Sequence, residues 1–331
     1  MLGEDNHLFT RRAPEIKGKH SISELVKLSI GNVDQWIYIR GKNHNYPILL
    51  MLHGGPGTAQ IGFMRKFQQD LEQHFVVVQW DQRGAGLSYS KNIPLESMNI
   101  NQFVHDTIEV TQYILKRLNQ NKLYLVAHSW GTIIGMLAAT RAPQLFTRYF
   151  GISQVANMIE NENLSYIHLL EKVKTNEKAY NDLVEIGPPP WQNMKHDRIH
   201  QKYVEKFGGG ITHDGKMVNK IFISLLTSKE YTLLDCFRHF KGMYFSMNCL
   251  QDEMQKVDLK EQVSQVNIPV HFLMGRHDLT TPYEPAKVFF DELAAPEKQW
   301  IWFENSAHTP SVEEPEKFLQ ILLTETERYS V

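Results

Sequence analysis

Ser129 stands in the run LYLVAHSWGTIIGMLAA, between an apolar stretch ending at Ala127 and a glycine, Gly131, that opens an alanine-rich helical pattern. A serine flanked in this way sits at the sharp strand–turn–helix junction of a nucleophile elbow. The turn is tight enough that larger side chains at 127 and 131 would strike the neighbouring strand and helix. The serine then projects at a helix N-terminus, where backbone N–H groups point outward. A plain N-cap serine would share part of this pattern, but not the buried strand directly before it.

A serine hydroxyl is a weak nucleophile without a base. Fifteen histidines are present, so position has to select one. His308, in FENSAHTP, follows the apolar run 299–303 and precedes the last helical pattern. That places it on the same rim as Ser129. The base needs an acid to orient it, and the elbow fold carries its triad in the chain order Ser, Asp or Glu, His. Asp278 closes HFLMGRHD just past the run 269–274 and satisfies that order. Asp291 falls on a helical pattern and is a poor rival. A tetrahedral intermediate also needs preorganised N–H donors. The Trp130 N–H follows the nucleophile. The second donor is expected from His53-Gly54-Gly55-Pro56-Gly57, where glycines allow close backbone approach, and Gly55 is the candidate.

These residues require a scaffold that brings three distant loops to one rim. Residues 25–30 and 36–40 read as two strands around Gly31-Asn32, and 47–52, 75–80, 123–127 and 147–152 as further strands. Helical patterns cover 101–118, with Phe103, Ile108, Tyr113 and Leu115 among its apolar positions, and 130–141. Strands without polar alternation, each followed by a helix, predict a parallel sheet covered on both faces. The rhythm breaks at about residue 154. Mostly helical patterns follow to 266, interrupted by Gly187-Pro188-Pro189-Pro190 and Gly208-Gly209-Gly210. Strands resume at 269–274 and 299–303, and a last helix is expected over 313–328. An ordinary connection takes about 2–6 residues, so 154–266 is expected to be a helical cap inserted into a core of 21–153 and 267–331. Residues 1–20 read as a loosely held N-terminal extension.

Composition narrows the function classes. The chain has 331 residues, a net charge of −2 and 42% hydrophobic residues, so it lacks the basic excess of a nucleic-acid binder. No secretory h-region opens it, and its apolar runs are too short to span a bilayer. With two cysteines, Cys236 and Cys249, a cytoplasmic protein is expected. No cofactor or metal is expected. Arg83-Gly84-Ala85-Gly86 lacks the third glycine of a dinucleotide fingerprint, and Gly208–Gly210 lacks the Lys of a phosphate loop. His196 and His200 share a helical spacing but have no Glu between them and no further ligand nearby, so they read as a solvated helix face.

Three segments together, HGGPG at 53–57, WDQRGAGLS at 80–88 and AHSWGT at 127–132, resemble the proline iminopeptidase family of α/β-hydrolases. GRHD at 275–278 and SAHT at 306–309 follow in matching order. The resemblance implies an α/β-hydrolase fold: a mostly parallel eight-stranded sheet flanked by helices, with an inserted cap. It implies catalytic roles for Ser129, Asp278 and His308, and oxyanion roles for Gly55 and Trp130. It also gives Asp81 and Arg83 a bracing duty beneath the site. Two departures stand out. The family usually has Gly-Gly before the serine, where this chain has Ala127-His128. The family's Trp-Glu signature, which helps hold the substrate's free amine, has no counterpart in 154–266. Glu160 and Glu162 are the candidate substrate-binding carboxylates, against a plainer reading as a capping, solvated face. The expected function is release of a small N-terminal residue, preferably proline, from a short peptide or small molecule. A carboxylesterase or lactonase is the alternative, and a non-catalytic ligand-binding protein is the third. Epoxide hydrolases and dehalogenases of this fold need a carboxylate nucleophile where this chain has Ser129.

Overall fold

The expected strands all form, and most end within a residue or two of their expected limits. The computed structural model describes residues 10–191 and 194–327. Its strands are β1 (Ile22–Ile30), β2 (Val33–Gly41), β3 (Ile48–Leu52), β4 (Val76–Asp81), β5 (Leu123–His128), β6 (Phe146–Ile152), β7 (Val270–Gly275) and β8 (Lys298–Phe303). They make one sheet in the order β1-β2-β4-β3-β5-β6-β7-β8. β1 and β2 run antiparallel to their neighbours, and all other pairs are parallel. The β1–β2 hairpin turns through Gly31 and Asn32, both with positive φ (52° and 62°), as a two-residue loop of this kind demands. β3, β4 and β7 are buried along their whole length. That is why they read as runs without polar alternation. β8 is half-buried over most of its length, as an edge strand.

Among the described residues, the helices flanking the sheet are α1 (Ile100–Leu118) and α2 (Trp130–Arg141) before the excursion. α1 starts where the Asn99 side chain accepts a bond from the Gln102 N–H, and stops at a left-handed Asn119. Phe103, Val104, Val110 and Ile114 face the core, while Ile108 and Tyr113 are only partly buried. Between β6 and β7 lie α3 (Met158–Val173), α4 (Glu177–Ile186), α5 (Met194–Lys206), α6 (Lys216–Leu226), α7 (Leu233–Met254) and α8 (Leu259–Gln262). The two ends of this excursion meet. The Leu259 N–H donates to the Ala156 carbonyl at 2.8 Å, and the Asn157 amide donates to Asp258 at 2.9 Å. After β7 come α9 (Tyr283–Glu292), α10 (Pro310–Glu313) and α11 (Pro315–Glu327). The last helix, expected over 313–328, forms as α11 and starts at Pro315, whose missing N–H needs no partner at a first helical position; the short α10 precedes it. Residue 328 lies outside the described residues.

Two expectations need correcting. His200 is not on a solvated face: it is 2% exposed, its ring lies 4.8 Å from that of Trp191, and burial pushes its pKa down to about 4. The described part of the N-terminal extension is not loose. Arg11 makes two hydrogen bonds to Asp235 of α7 at 2.7 and 2.8 Å and lies over the Trp36 ring, and the Arg12 N–H donates to Lys229. Residues 1–9 of that extension lie outside the described residues. Both cysteines are free thiols. No described helix is long and apolar enough to cross a membrane.

Candidate active site

β5 carries the chain to the C-terminal rim of the sheet, and α2 starts immediately beyond it. Ser129, between them, has φ 53° and ψ −122°, a conformation few non-glycine residues tolerate. The small neighbours are sterically required. A Cβ on Gly131 would lie 2.5 Å from the Leu52 carbonyl oxygen and 2.8 Å from that of His53. Ala127 is fully buried, and a Cβ on Gly135 one helical turn on would already press on it at 3.0 Å.

The turns after β7 and β8 deliver Asp278 and His308. His308 Nδ1 lies 2.8 Å from Asp278 Oδ2. The other Asp278 oxygen accepts from the Thr280 and Thr281 N–H groups at 2.8 and 2.9 Å, and the Thr281 hydroxyl donates to Oδ2 at 2.8 Å. Burial opposes the Asp278 charge. The His308 ring and the Thr281 donors outweigh it, and hold the carboxyl below its ordinary range. An ionised carboxylate only accepts, so Nδ1 bears the His308 proton and Nε2 is left with a lone pair. Ser129 and His308 line the same cavity. The hydroxyl is not hydrogen-bonded to the ring here, which is common before a substrate closes the site.

The oxyanion candidates differ in what they present. Gly55 lines the cavity with φ 116°, and a Cβ there would meet the Gly57 and Thr58 nitrogens at 2.7 Å. Only glycine fits. Trp130 offers only its backbone, since its side chain turns into the core, bonds to Gln82 and packs edge-on against Phe103. Its N–H sits at the first helical position, where the helix supplies no partner.

The cavity holds about 280 Å³ and is mainly apolar, walled by Met51, Phe63, Val126, Ile152, Ile211 and Val312 among others. It falls just below the roughly 300–1,000 Å³ of sites for drug-sized ligands. Among the described residues, no Asp or Glu lines it. Neither Glu160 nor Glu162 is brought to Ser129. Glu160 is exposed in the first turn of α3, where its N–H is capped by Asn157. Glu162 is pushed up to about pKa 7 by burial and by Asp197 on α5. The bland capping reading therefore describes Glu160, and a half-buried carboxylate beside a like charge describes Glu162.

Asp81 and Arg83 occupy the bracing positions. Asp81 accepts from the Ile61 and Leu87 N–H groups and from the Tyr231 hydroxyl of the excursion. Burial pushes its pKa up to about 7 against those donors. Arg83 makes two bonds to Asp106 at 2.8 and 2.9 Å, both side chains fully buried, and reaches the Gly31 carbonyl at 2.9 Å. On the opposite rim His271, Glu297 and Glu325 could suggest a metal site. The Arg148 guanidinium already fills that place, 2.6 Å from Glu325 and 3.0 Å from the His271 ring.

Several positioning groups escaped the sequence reading. His128 Nε2 lies 2.7 Å from the His308 carbonyl oxygen, which also accepts from the Ser153 hydroxyl at 3.1 Å. The three-glycine segment has a use too. The Gly209 and Gly210 carbonyls accept from the Leu279 and His308 N–H groups at 2.8 and 3.2 Å. A Cβ on Gly209 would collide with Leu279 at 2.5 Å. Only Thr280-Thr281 after Asp278 carried a local signal, that of an Asx turn.

A family model for the alpha/beta hydrolase fold matches residues 47–315. The chain belongs to the α/β-hydrolase family. It is 43% identical over 309 residues to a protein of Bacillus subtilis named a probable aminopeptidase, covering 93% of this chain and 97% of that one. It is 25% identical over 290 residues to a proline iminopeptidase of Clostridioides difficile, covering 83% and 87%. A crystal structure of a proline iminopeptidase-related protein from Thermus thermophilus superposes with a TM-score of 0.64 at 19% identity, covering 91% and 96% of the two chains. This α/β-hydrolase is a hydrolytic enzyme resembling the proline iminopeptidases.

Proposed function

We propose that this protein is a serine hydrolase of aminopeptidase type that releases a small, apolar N-terminal residue, proline first among them. The observation carrying this reading is that the strained Ser129 and the Asp278-paired His308 line one small apolar cavity. In this reading residues 154–266 form a cap over the core of 21–153 and 267–331. Ser129 Oγ attacks the scissile carbonyl carbon while His308 Nε2 takes its proton. The Gly55 and Trp130 N–H groups stabilise the oxyanion, each worth roughly 2.7–4 kcal/mol by analogy with measured donors. The C–N bond breaks as His308 returns the proton to the leaving amine. Water then enters by the same path and frees Ser129, with Asp278 stabilising the imidazolium in both halves. The names of the relatives favour an amide over an ester bond.

Turnover of prolyl and alanyl 4-nitroanilides, measured beside Ser129→Ala, tests the proposal. Release no faster than that of Ser129→Ala rules out the peptidase. One observation favours a second reading, a carboxylesterase or lactonase. Among the described residues no carboxylate lines the cavity, and an unpaired ammonium in an apolar site is costly. Turnover of short acyl 4-nitrophenyl esters, with none of the anilides, would decide for it.

A further inference from the structure

An aminoacyl substrate brings its α-nitrogen into the cavity along with the scissile carbonyl, and something has to meet that nitrogen. Carboxylates are absent from the described lining, but His128 is part of it. Its Nε2 lies 2.7 Å from the His308 carbonyl oxygen. A carbonyl only accepts, so Nε2 carries the proton. Burial, reinforced by His308, pushes the ring's pKa down to about 3. The ring is therefore neutral, and Nδ1 keeps a free lone pair. His128 shares the lining of this cavity with Ser129 and His308. A Cβ on Gly54 would lie 3.1 Å from His128 Nδ1 and 3.1 Å from Ser129 Cβ. Gly54 packs closely against both, and because the two atoms lie 3.1 Å from one point, Nδ1 is within 6.2 Å of the carbon that bears the nucleophile. An acyl group attacked by Ser129 carries its α-substituent into that neighbourhood.

We propose that His128 is a specificity-determining residue whose Nδ1 accepts a hydrogen bond from an N–H at the α-position of the acyl group. The inference rests on the serine-hydrolase reading and names its substrate class: small acyl groups with an α-amino or α-imino nitrogen. An acyl isostere lacking the N–H leaves Nδ1 unpaired in an apolar pocket, and such mismatches are rejected strongly. His128 also steadies the His308 backbone, so its loss can slow every substrate. A pair of substrates with one shape separates the two roles.

The experiment compares kcat/KM for prolyl 4-nitroanilide and cyclopentanecarbonyl 4-nitroanilide, which differ by one ring N–H. Wild type, His128→Phe and His128→Asn are assayed, with Ser129→Ala as the blank. Wild type is expected to prefer the prolyl substrate by roughly tenfold or more, the scale of one unmade buried hydrogen bond. His128→Phe is expected to abolish that preference. His128→Asn, which keeps a donor and an acceptor, restores part of it. If His128→Phe does not fold, the wild-type preference and the His128→Asn protein decide. Equal wild-type treatment of the two anilides overturns the role while leaving the hydrolase reading intact. So does a His128→Phe protein that slows both equally and keeps its preference. Wild-type turnover of neither anilide above the blank removes the amide-hydrolase reading, and this inference with it.

Discussion

Asp278 is the member of the proposed triad whose contacts hold it most closely. Three donors from Thr280 and Thr281 hold its two oxygens, and one oxygen faces His308 Nδ1. Replacing the carboxylate by an amide keeps the shape but can present an N–H to Nδ1, which favours the wrong tautomer of His308. Asp278→Asn is expected to lower kcat by roughly 10³–10⁴-fold, as such changes do in Ser-His-Asp enzymes, with little change in the folded spectrum. Steady-state kinetics beside circular dichroism checks this. A loss of less than tenfold would remove Asp278 from the mechanism.

At the scale of elements, the rim depends on loops braced from below. Arg83, after β4, and Asp106, on α1, form a fully buried ion pair. Asp106 also accepts from Gln35 at 2.7 Å and from Gln102 at 2.8 Å. Breaking a buried pair from one side leaves an uncompensated charge, at a cost of about 3–5 kcal/mol. Asp106→Asn is expected to fall within or below that range, since the amide oxygen can still accept. Asp106→Leu should reach it. Urea unfolding of both variants measures the difference. Equal stability of Asp106→Leu and the parent would show that the pair does not brace the loops.

For the whole molecule, buried ionisable groups set the response to pH. His53, His200 and His239 are pushed down to about 4 and His128 to about 3, from an ordinary 6.5, chiefly by burial. Such a histidine takes up its proton more readily when unfolded. Its stabilising contribution is intact above about pH 6.5 and is lost as the pH falls toward the folded value. Asp81 and Glu162, raised to about 7, act in the opposite sense: their folded forms gain as the pH falls from 7 toward the ordinary carboxylate range. Four histidines outweigh two carboxylates. The melting temperature is therefore expected to fall between pH 6.5 and 4, and a thermal scan across that window checks the sign. A melting temperature that rises on acidification would contradict it.

The sequence by itself determined the features that depend on local chain chemistry. The elbow was legible because Ala127, Ser129 and Gly131 meet a steric demand within five residues. The core strands were legible because burial on both faces removes polar alternation. Asp278 and His308 followed from their places just past apolar strands. Tertiary structure decided what depends on distant chain segments sharing space. No pattern in 154–266 foretells that the Gly209 and Gly210 carbonyls hold the turns bearing Asp278 and His308, because their partners lie 70 and 98 residues along the chain. The cavity wall likewise draws on strands, loops and α6 together, so the lack of carboxylates among its described residues was invisible while Glu160 and Glu162 looked near in sequence. His128 shows the divide within one residue. Its place beside Ser129 is written in the chain. The carbonyl that fixes its proton, and so leaves Nδ1 free for substrate, is supplied only by the fold.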